Sequence, residues 1–358
     1  HRADILITTG GLGPTYDDLT KETVCAACGK ALVFHPEILS DIADFYEKNL
    51  HAPMPDNNRQ QAMLPEGCVV FDNPVGTAPG CAFEADGVHV LMLPGPPHEM
   101  VTMLRRCAEP YLRSLSREII VSHDIMTFGL GESYVDQLLH EKMSHMENPS
   151  LATYAKPCEV RLRATAKAQS AEQAEEMLAP VVDEVKTLLG PYVYGVDVTG
   201  LEAVCSSLLL ERGLTLATAE SCTGGLIARR ITALPGASRV YRGGVVSYWT
   251  EVKAAVLGVP QDLLDQYGAV SEPTARAMAE GARRITGADI AVSVTGVAGP
   301  DPDERGNPVG LVFIGLATPD GTFCRRTESG RRTRDRIQDL SANHALDMVR
   351  RYLTGLEL

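Results

Sequence analysis

The chain reads as a multidomain α/β protein, and three observations carry that reading. Its 358 residues suffice for two or three domains, each with its own core. From residue 201 onward, helix-like and strand-like segments alternate, the pattern of a sheet covered by helices on both faces. Strand-like segments there end in hydroxyl residues and glycines, at the carboxyl ends where open α/β sheets bind ligands. Shifts of pattern then divide the chain into an N-terminal α/β domain (1–115), a small α+β middle domain (116–195) and a C-terminal α/β domain (196–358).

Apolar residues make up 44% and charged residues 22%, ordinary for a soluble globular protein. The net charge of −13 argues against broad binding to a phosphate backbone. A local run of Arg325, Arg326, Arg331, Arg332, Arg334 and Arg336 could still grip a small anion. There is no run of about 18 apolar residues and no signal peptide, so a cytoplasmic address is expected. Nine cysteines at irregular spacing suit a reducing compartment. Cys25 and Cys28 form a CxxC with no second pair, which favours core packing over zinc or redox chemistry.

Residues 3–9 predict a buried strand, followed by a turn at Gly10, Gly11 and Gly13. Asp17 and Asp18 lead the next helix; they could offer carboxylates to a metal held on phosphates, or Asp18 could cap the helix. Helical spacing covers 36–49, residues 57–63 lead into the strand-like CVVFDN, and strands are expected at 81–84 and 88–93 around a turn at Asp86 and Gly87. A proline-glycine loop carrying Glu99 precedes a helix over 101–115. Because the chain opens with His1, directly on a strand that belongs inside a sheet, an upstream segment is expected. The middle domain reads strand, helix, strand, strand, helix without a catalytic cluster, and residues 190–200 read as a linker.

The C-terminal domain begins with a helix at 201–212 and a strand at 214–218, which breaks into TLATAESCTGG and a helix from Leu226. Gly224 and Gly225 thus sit at a helix N-terminus, where unpaired N–H groups favour a phosphate or carboxylate. An ordinary βα turn is the alternative, since the stretch is neither GxGxxG nor a P-loop. In PGASRVYRGGVVSYWTEVK, Ser238 and Lys253 flank a strand whose polar members include Ser247 and Tyr248. After a helix at 273–286, the strand of ADIAVSVTGVAGPDPD ends at Thr295 in a glycine-rich loop, PVGLVFIGLAT follows, and a helix at 335–353 closes the chain. His344 is the sole histidine after residue 200, which argues against a Ser-His-Asp triad and leaves a serine with a lysine base open. Such a lysine needs its pKa lowered from ~10.4 toward ~8, worth about 3 kcal/mol, through burial or a neighbouring cation.

AESCTGG, PGAS, VSYWTEVK, GAVSEPTA and SVTGVAGPD, in that order, resemble the nicotinamide mononucleotide deamidase domain of the CinA family, from Gly200 onward. The resemblance implies Ser238 as nucleophile, Lys253 as base, and Tyr248, Thr295 and Arg332 in support. Glu220, Ser221, Thr223, Gly224, Gly225, Gly296 and Gly299 fall to substrate binding, with Ser221 the rival nucleophile and Glu220 orienting a ribose hydroxyl or the amide. Without the resemblance, Ser238 could cap a turn, Lys253 could be a solvated helix residue and Thr295 strand filler.

GGLGPTYDD, NPVGTAPG and LPGPPHEM resemble the molybdopterin-binding-like N-terminal domain of the same family, linked there to metal-dependent ADP-ribose pyrophosphatase activity. This implies a nucleotide site at Gly10, Gly11, Gly76, Thr77 and Gly95, with Asp17, Asp18 and Glu99 holding a divalent metal ion. The family's domain begins upstream, with a SIGDELL-like motif that does not appear in this sequence, and without that part the site would be incomplete. The deamidase is expected to need no cofactor, and the expected partners are small nucleotide substrates and a second copy of the chain, with neither membrane nor broad nucleic-acid binding. Competing readings are a non-catalytic nucleotide-sensing or competence-related interaction protein, and pterin handling by the N-terminal domain.

Overall fold

The structure is a computed structural model that describes residues 3–116, 118–156 and 158–358. It forms two compact units, one reaching Ile119 and one spanning Ile120–Leu358.

The first unit contains β1 (Ile5–Thr9), α1 (Thr20–Ala27), β2 (Leu32–Phe34), α2 (Pro36–Phe45), β3 (Met63–Pro65), β4 (Val69–Phe71), β5 (Gly80–Ala85), β6 (Val88–Leu93), α3 (Pro97–Met103) and α4 (Glu109–Ser114). Its main sheet has the order β1-β6-β5-β4, and β2 pairs with β3. Asp86 and Gly87, both at positive φ (50° and 77°), close the β5–β6 hairpin as the Asp-Gly pair predicts. One expectation fails here. Residues 5–7 were to be buried, yet Ile5, Leu6 and Ile7 are exposed, because β1 is an edge strand that pairs only with β6.

The second unit takes in β7 (Ile119–Thr127) from its second residue on, then α5 (Glu132–His145), β8 (Ser150–Lys156), β9 (Glu159–Ala168), α6 (Ala171–Leu189) and β10 (Val193–Val196), with a sheet of order β10-β7-β9-β8. The Ser170 hydroxyl caps α6 by accepting the Gln173 amide at 3.2 Å. That helix buries Ala174, Leu178, Val181, Val182, Val185 and Leu189, a stripe of helical period, against alternate residues of β9. The stretch expected to be a linker is partly a strand: β10 runs antiparallel to β7, with Tyr194 buried and its hydroxyl donating to Glu159 at 3.2 Å. Turn residues on either side hid a strand of only four residues.

The remaining elements are α7 (Leu201–Arg212), β11 (Leu216–Glu220), α8 (Leu226–Thr232), β12 (Tyr241–Val246), α9 (Thr250–Ala255), α10 (Gln261–Tyr267), α11 (Glu272–Thr286), β13 (Ile290–Gly296), β14 (Leu311–Thr318), β15 (Gly321–Glu328) and α12 (Arg334–Thr354). They build a five-stranded sheet of order β12-β11-β13-β14-β15 in which β12, β11 and β13 are parallel. The period-2 alternation of the central strands sorts the two faces. Leu216, Ile290, Val292 and Val294 pack with α7, α8 and α12, whereas Ala217, Ala219 and Ala291 meet α10, α11 and the α9–α10 loop. Small residues let α11 approach closely. A Cβ on Gly315 would come within 2.3 Å of the Ala275 carbonyl, and one on Gly281 within 2.1 Å of the Leu257 carbonyl.

Parallel pairing brings the carboxyl ends of β11, β12 and β13 to one edge of this sheet. Glu220, Val246 and Val294 lie side by side in register.

Candidate active site

The residues that follow these three strand ends converge. Ser221, next after β11, donates its amide to the Val294 carbonyl at 2.9 Å, and the Ser247 amide donates to the Glu220 carbonyl at 2.8 Å. Lys253 is fully buried in α9, and its ammonium donates to the Ser221 hydroxyl oxygen at 3.0 Å and to the Ser247 carbonyl at 2.5 Å. Burial lowers its pKa to about 8, against weaker opposing pulls from Cys222 and Glu251. Among the described residues, no carboxylate forms an ion pair with it. The result is a lysine that titrates near neutrality beside a serine, with the hydroxyls of Thr223 and Ser247 buried nearby in the chain and lacking partners.

This arrangement does not bring Ser238 to Lys253. Ser238 lies exposed in a single helical turn (Ala237–Arg239) before β12, at the amino end of a strand whose carboxyl end leads to Lys253. A six-residue strand at about 3.3 Å per residue holds its two ends roughly 16 Å apart. Within one chain, Lys253 pairs with Ser221.

Glu220 also takes a different part from the expected one. Its buried carboxylate accepts the amides of Gly225 (3.0 Å), Ile227 (3.1 Å) and Ala228 (2.9 Å). Gly224 and Gly225, at φ 62° and 97°, turn the chain so that the first turn of α8 points back at it. The amides expected to receive a ligand's anion therefore already hold the protein's own carboxylate. Gly224 and Gly225 shape the turn, and Glu220 faces backbone, with both its oxygens engaged.

Support comes from α12. Arg334 donates to the Gly299 carbonyl at 2.7 Å and to the half-exposed Tyr248 hydroxyl at 2.5 Å. One turn later, the Gln338 amide donates to the Cys222 carbonyl at 2.8 Å. Arg332 is exposed and, among the described residues, its side chain donates to the Ser329 carbonyl, whereas it is Arg334 that reaches Tyr248. Thr295 is buried with its hydroxyl given to the Ala269 carbonyl at 2.7 Å, and Gly296 packs so closely on β14 that a Cβ would meet the Leu311 carbonyl at 2.7 Å. Each is thus engaged with the protein's own backbone. Sequence reasoning missed Gln338, and it named Ser247 and Arg334 without joining them to the lysine or to Tyr248. The i,i+4 spacing of Arg334 and Gln338 at a helix start was the available signal.

In the first unit, Gly10 and Gly95 pack backbone to backbone, and Gly76 abuts Glu99, which accepts from Asn73 at 2.6 Å. Thr77 accepts from Gln61 at 3.2 Å, and a Cβ on Gly11 would strike the Thr20 hydroxyl. Asp17 and Asp18 meet on the Thr15 hydroxyl, at 2.6 and 2.5 Å. Glu99 does not join them. Among the described residues, no group of three or more His, Cys, Asp or Glu side chains is placed to hold a metal ion. Two carboxylates underfill the six or more oxygens of a divalent cation, so the expected metal set is not assembled by the chain's own residues. The buried Lys21, which donates to the Gln60 carbonyl at 2.7 Å and whose pKa burial lowers, went unnoticed in the sequence. Among the described residues, no helix is long and apolar enough to cross a membrane.

Family models match three consecutive stretches: the probable molybdopterin binding domain at residues 1–114, the damage-inducible protein CinA KH domain at 122–195, and the CinA C-terminal domain at 198–353. A putative competence-damage inducible protein of Acetivibrio thermocellus is 46% identical over 357 residues, covering 100% of this chain and 86% of the relative. A CinA-like protein of Kosmotoga olearia is 43% identical over 355 residues, covering 99% and 86%. The crystal structure of the competence/damage inducible protein CihA from Agrobacterium tumefaciens is 37% identical over 43% of this chain and 93% of its own, with a TM-score of 0.41. Full-length identity at this level, with three matched domains in order, establishes that the chain belongs to the CinA family.

Proposed function

We propose that the C-terminal domain hydrolyses the carboxamide of nicotinamide mononucleotide to nicotinic acid mononucleotide and ammonia, with Ser221 as nucleophile and Lys253 as its base. The observation that carries this reading is the 3.0 Å contact between the Ser221 hydroxyl and a buried lysine whose pKa is about 8. Neutral Lys253 takes the hydroxyl proton as Ser221 Oγ attacks the carboxamide carbon. The resulting oxyanion is met by the Thr223 amide, which donates to no acceptor among the described residues. The Lys253 ammonium then returns its proton to the departing ammonia. Water, deprotonated by the same amine, releases the acid and restores Ser221. Ser247 holds the lysine in line through its carbonyl. The choice of substrate rests on the family resemblance, and its phosphate is assigned to Arg334 because the α8 terminus is occupied by Glu220. No metal is needed, since the lysine supplies the base. A non-catalytic sensor has no use for a buried lysine kept near neutrality beside a serine. A metal-dependent pyrophosphatase has less behind it, because among the described residues Asp17, Asp18 and Glu99 do not converge.

Ammonia release from nicotinamide mononucleotide by the purified chain tests the reading directly. Its pH dependence is specific: the base must be neutral, so kcat/KM should rise about tenfold per pH unit below the pKa of about 8 and level off above it. A flat profile from pH 6 to 9 removes Lys253 as the base.

Residues 198–358 carry every group named above, yet Met126, Phe128 and Tyr194 belong to the same apolar core. A fragment of those residues is expected to keep ammonia release and to melt below a fragment of residues 120–358, since each buried large side chain lost removes about 1.5–3 kcal/mol. Loss of turnover in the shorter fragment would show that the middle domain completes the site.

A further inference from the structure

Between the middle and C-terminal parts of the second unit lies a cavity of about 290 Å³, away from Ser221 and lined by Phe128, Gly129 and Tyr192 on one side and Arg325, His344 and Arg351 on the other. Its floor is a charge cluster without balance. The buried Asp347 carboxylate receives Arg350 on one oxygen (3.1 and 2.6 Å) and Arg351 (2.8 Å) and Arg325 (3.1 Å) on the other. Three guanidinium groups thus share one carboxylate, the one acid among the described residues in an ion pair with any of them, and Arg350 is itself buried. Glu357, exposed at the rim, gives Arg351 its backbone carbonyl at 3.0 Å, and Leu358 also lines the cavity. His344 Nδ1 is buried in the same wall with no hydrogen-bond partner, its ring edge-on to Phe128 at 4.9 Å. Burial, then Arg325, lowers the His344 pKa to about 4, so near neutral pH the ring is uncharged and its Nδ1 can carry a donor proton.

We infer that this cavity binds the dianionic phosphate group of a small molecule. The excess of guanidinium over carboxylate suits a dianion, and among the described residues Arg325 spends one of its five donors, leaving the rest of its planar fork for phosphate oxygens. The faces of Phe128 and Tyr192 provide an apolar wall for whatever the phosphate is esterified to. Arg350 also donates to the Pro191 carbonyl at 2.8 Å, so a ligand here would tighten the seam between the middle and C-terminal parts.

Calorimetric titration of the full chain with inorganic phosphate, and separately with adenosine 5′-monophosphate, tests this. Binding should raise the melting temperature. R325Q should weaken it by about tenfold or more, and E357Q, which removes the opposing rim charge, should strengthen it a few-fold. Ammonia release without added phosphate should stay at the parent rate in both variants and reports that they are folded. Tighter binding of the monophosphate identifies a phosphate ester as the ligand, and equal binding identifies free phosphate. Affinity that neither substitution changes, or no binding at ~10 mM phosphate, overturns the inference.

Discussion

Ser221→Ala should lower ammonia release by at least ~10², while Ser238→Ala should leave it within a factor of about two. The asymmetry follows from sheet geometry, since β12 carries the chain from Ser238 at its amino end to Lys253 beyond its carboxyl end. Lys253→Ala should match Ser221→Ala, and the double variant should be little worse than either. A nucleophile and its base act as one unit, so removing the second costs little once the first is gone. Melting temperatures separate chemistry from folding, because Lys253 is buried and its truncation leaves a void. If Ser238→Ala abolished turnover and Ser221→Ala did not, the dyad would be wrong. Ser238 would then have to act in the site of a second copy of the chain.

Much of the C-terminal fold was legible because its strands carry a two-sided code. Large residues at Leu216, Ile290, Val292 and Val294 alternate with alanines at 217, 219 and 291, and each set meets helices on its own face. The helix at Leu201–Arg212 and the strand at Val88–Leu93 were read to the residue for the same reason: their patterns end at glycine or at a turn. Periodicity is a local signal, and it fails where pairing partners decide. β1 is as apolar as a central strand but stands at a sheet edge, and β10 hides in a stretch rich in turn residues.

The site was legible as a neighbourhood and not as a set of contacts. Hydroxyls and glycines at strand ends located it, since parallel strands bring their carboxyl ends together whatever the side chains do. Which serine meets the lysine is a different matter. Ser238 and Lys253 share one continuous motif, whereas Ser221 is 32 positions from Lys253 and meets it only because α9 folds back across the end of β11. Arg332 and Arg334 differ only in where α12 begins, which fixes the direction of each side chain. Asp17, Asp18 and Glu99 have the right chemistry for a cation, but Glu99 is drawn to Asn73 instead. Residue type names what a position can do. The backbone decides what it reaches.

Glu220→Ala should be among the most destabilising single substitutions in the second unit. It removes one carboxylate that accepts three backbone amides, at 2.9 to 3.1 Å, in a site almost closed to water. Hydrogen bonds to a charged group contribute about 1.5–3 kcal/mol each, and amides left buried without partners add their own cost. A loss of about 3 kcal/mol or more is expected, read as a fall in melting temperature of roughly 6–12 °C for a unit of this size. Glu220→Gln keeps the shape but turns an NH₂ group toward an amide donor, so its loss should fall between parent and alanine variant. Turnover should drop with stability in both, because the turn from Ser221 to Gly225 is the segment that carboxylate holds. Were Glu220 instead orienting a ribose hydroxyl, Glu220→Gln would raise KM while leaving the melting curve unmoved. Thermal melts alongside kcat and KM for the two variants therefore decide whether the acid beside the nucleophile serves the substrate or the backbone.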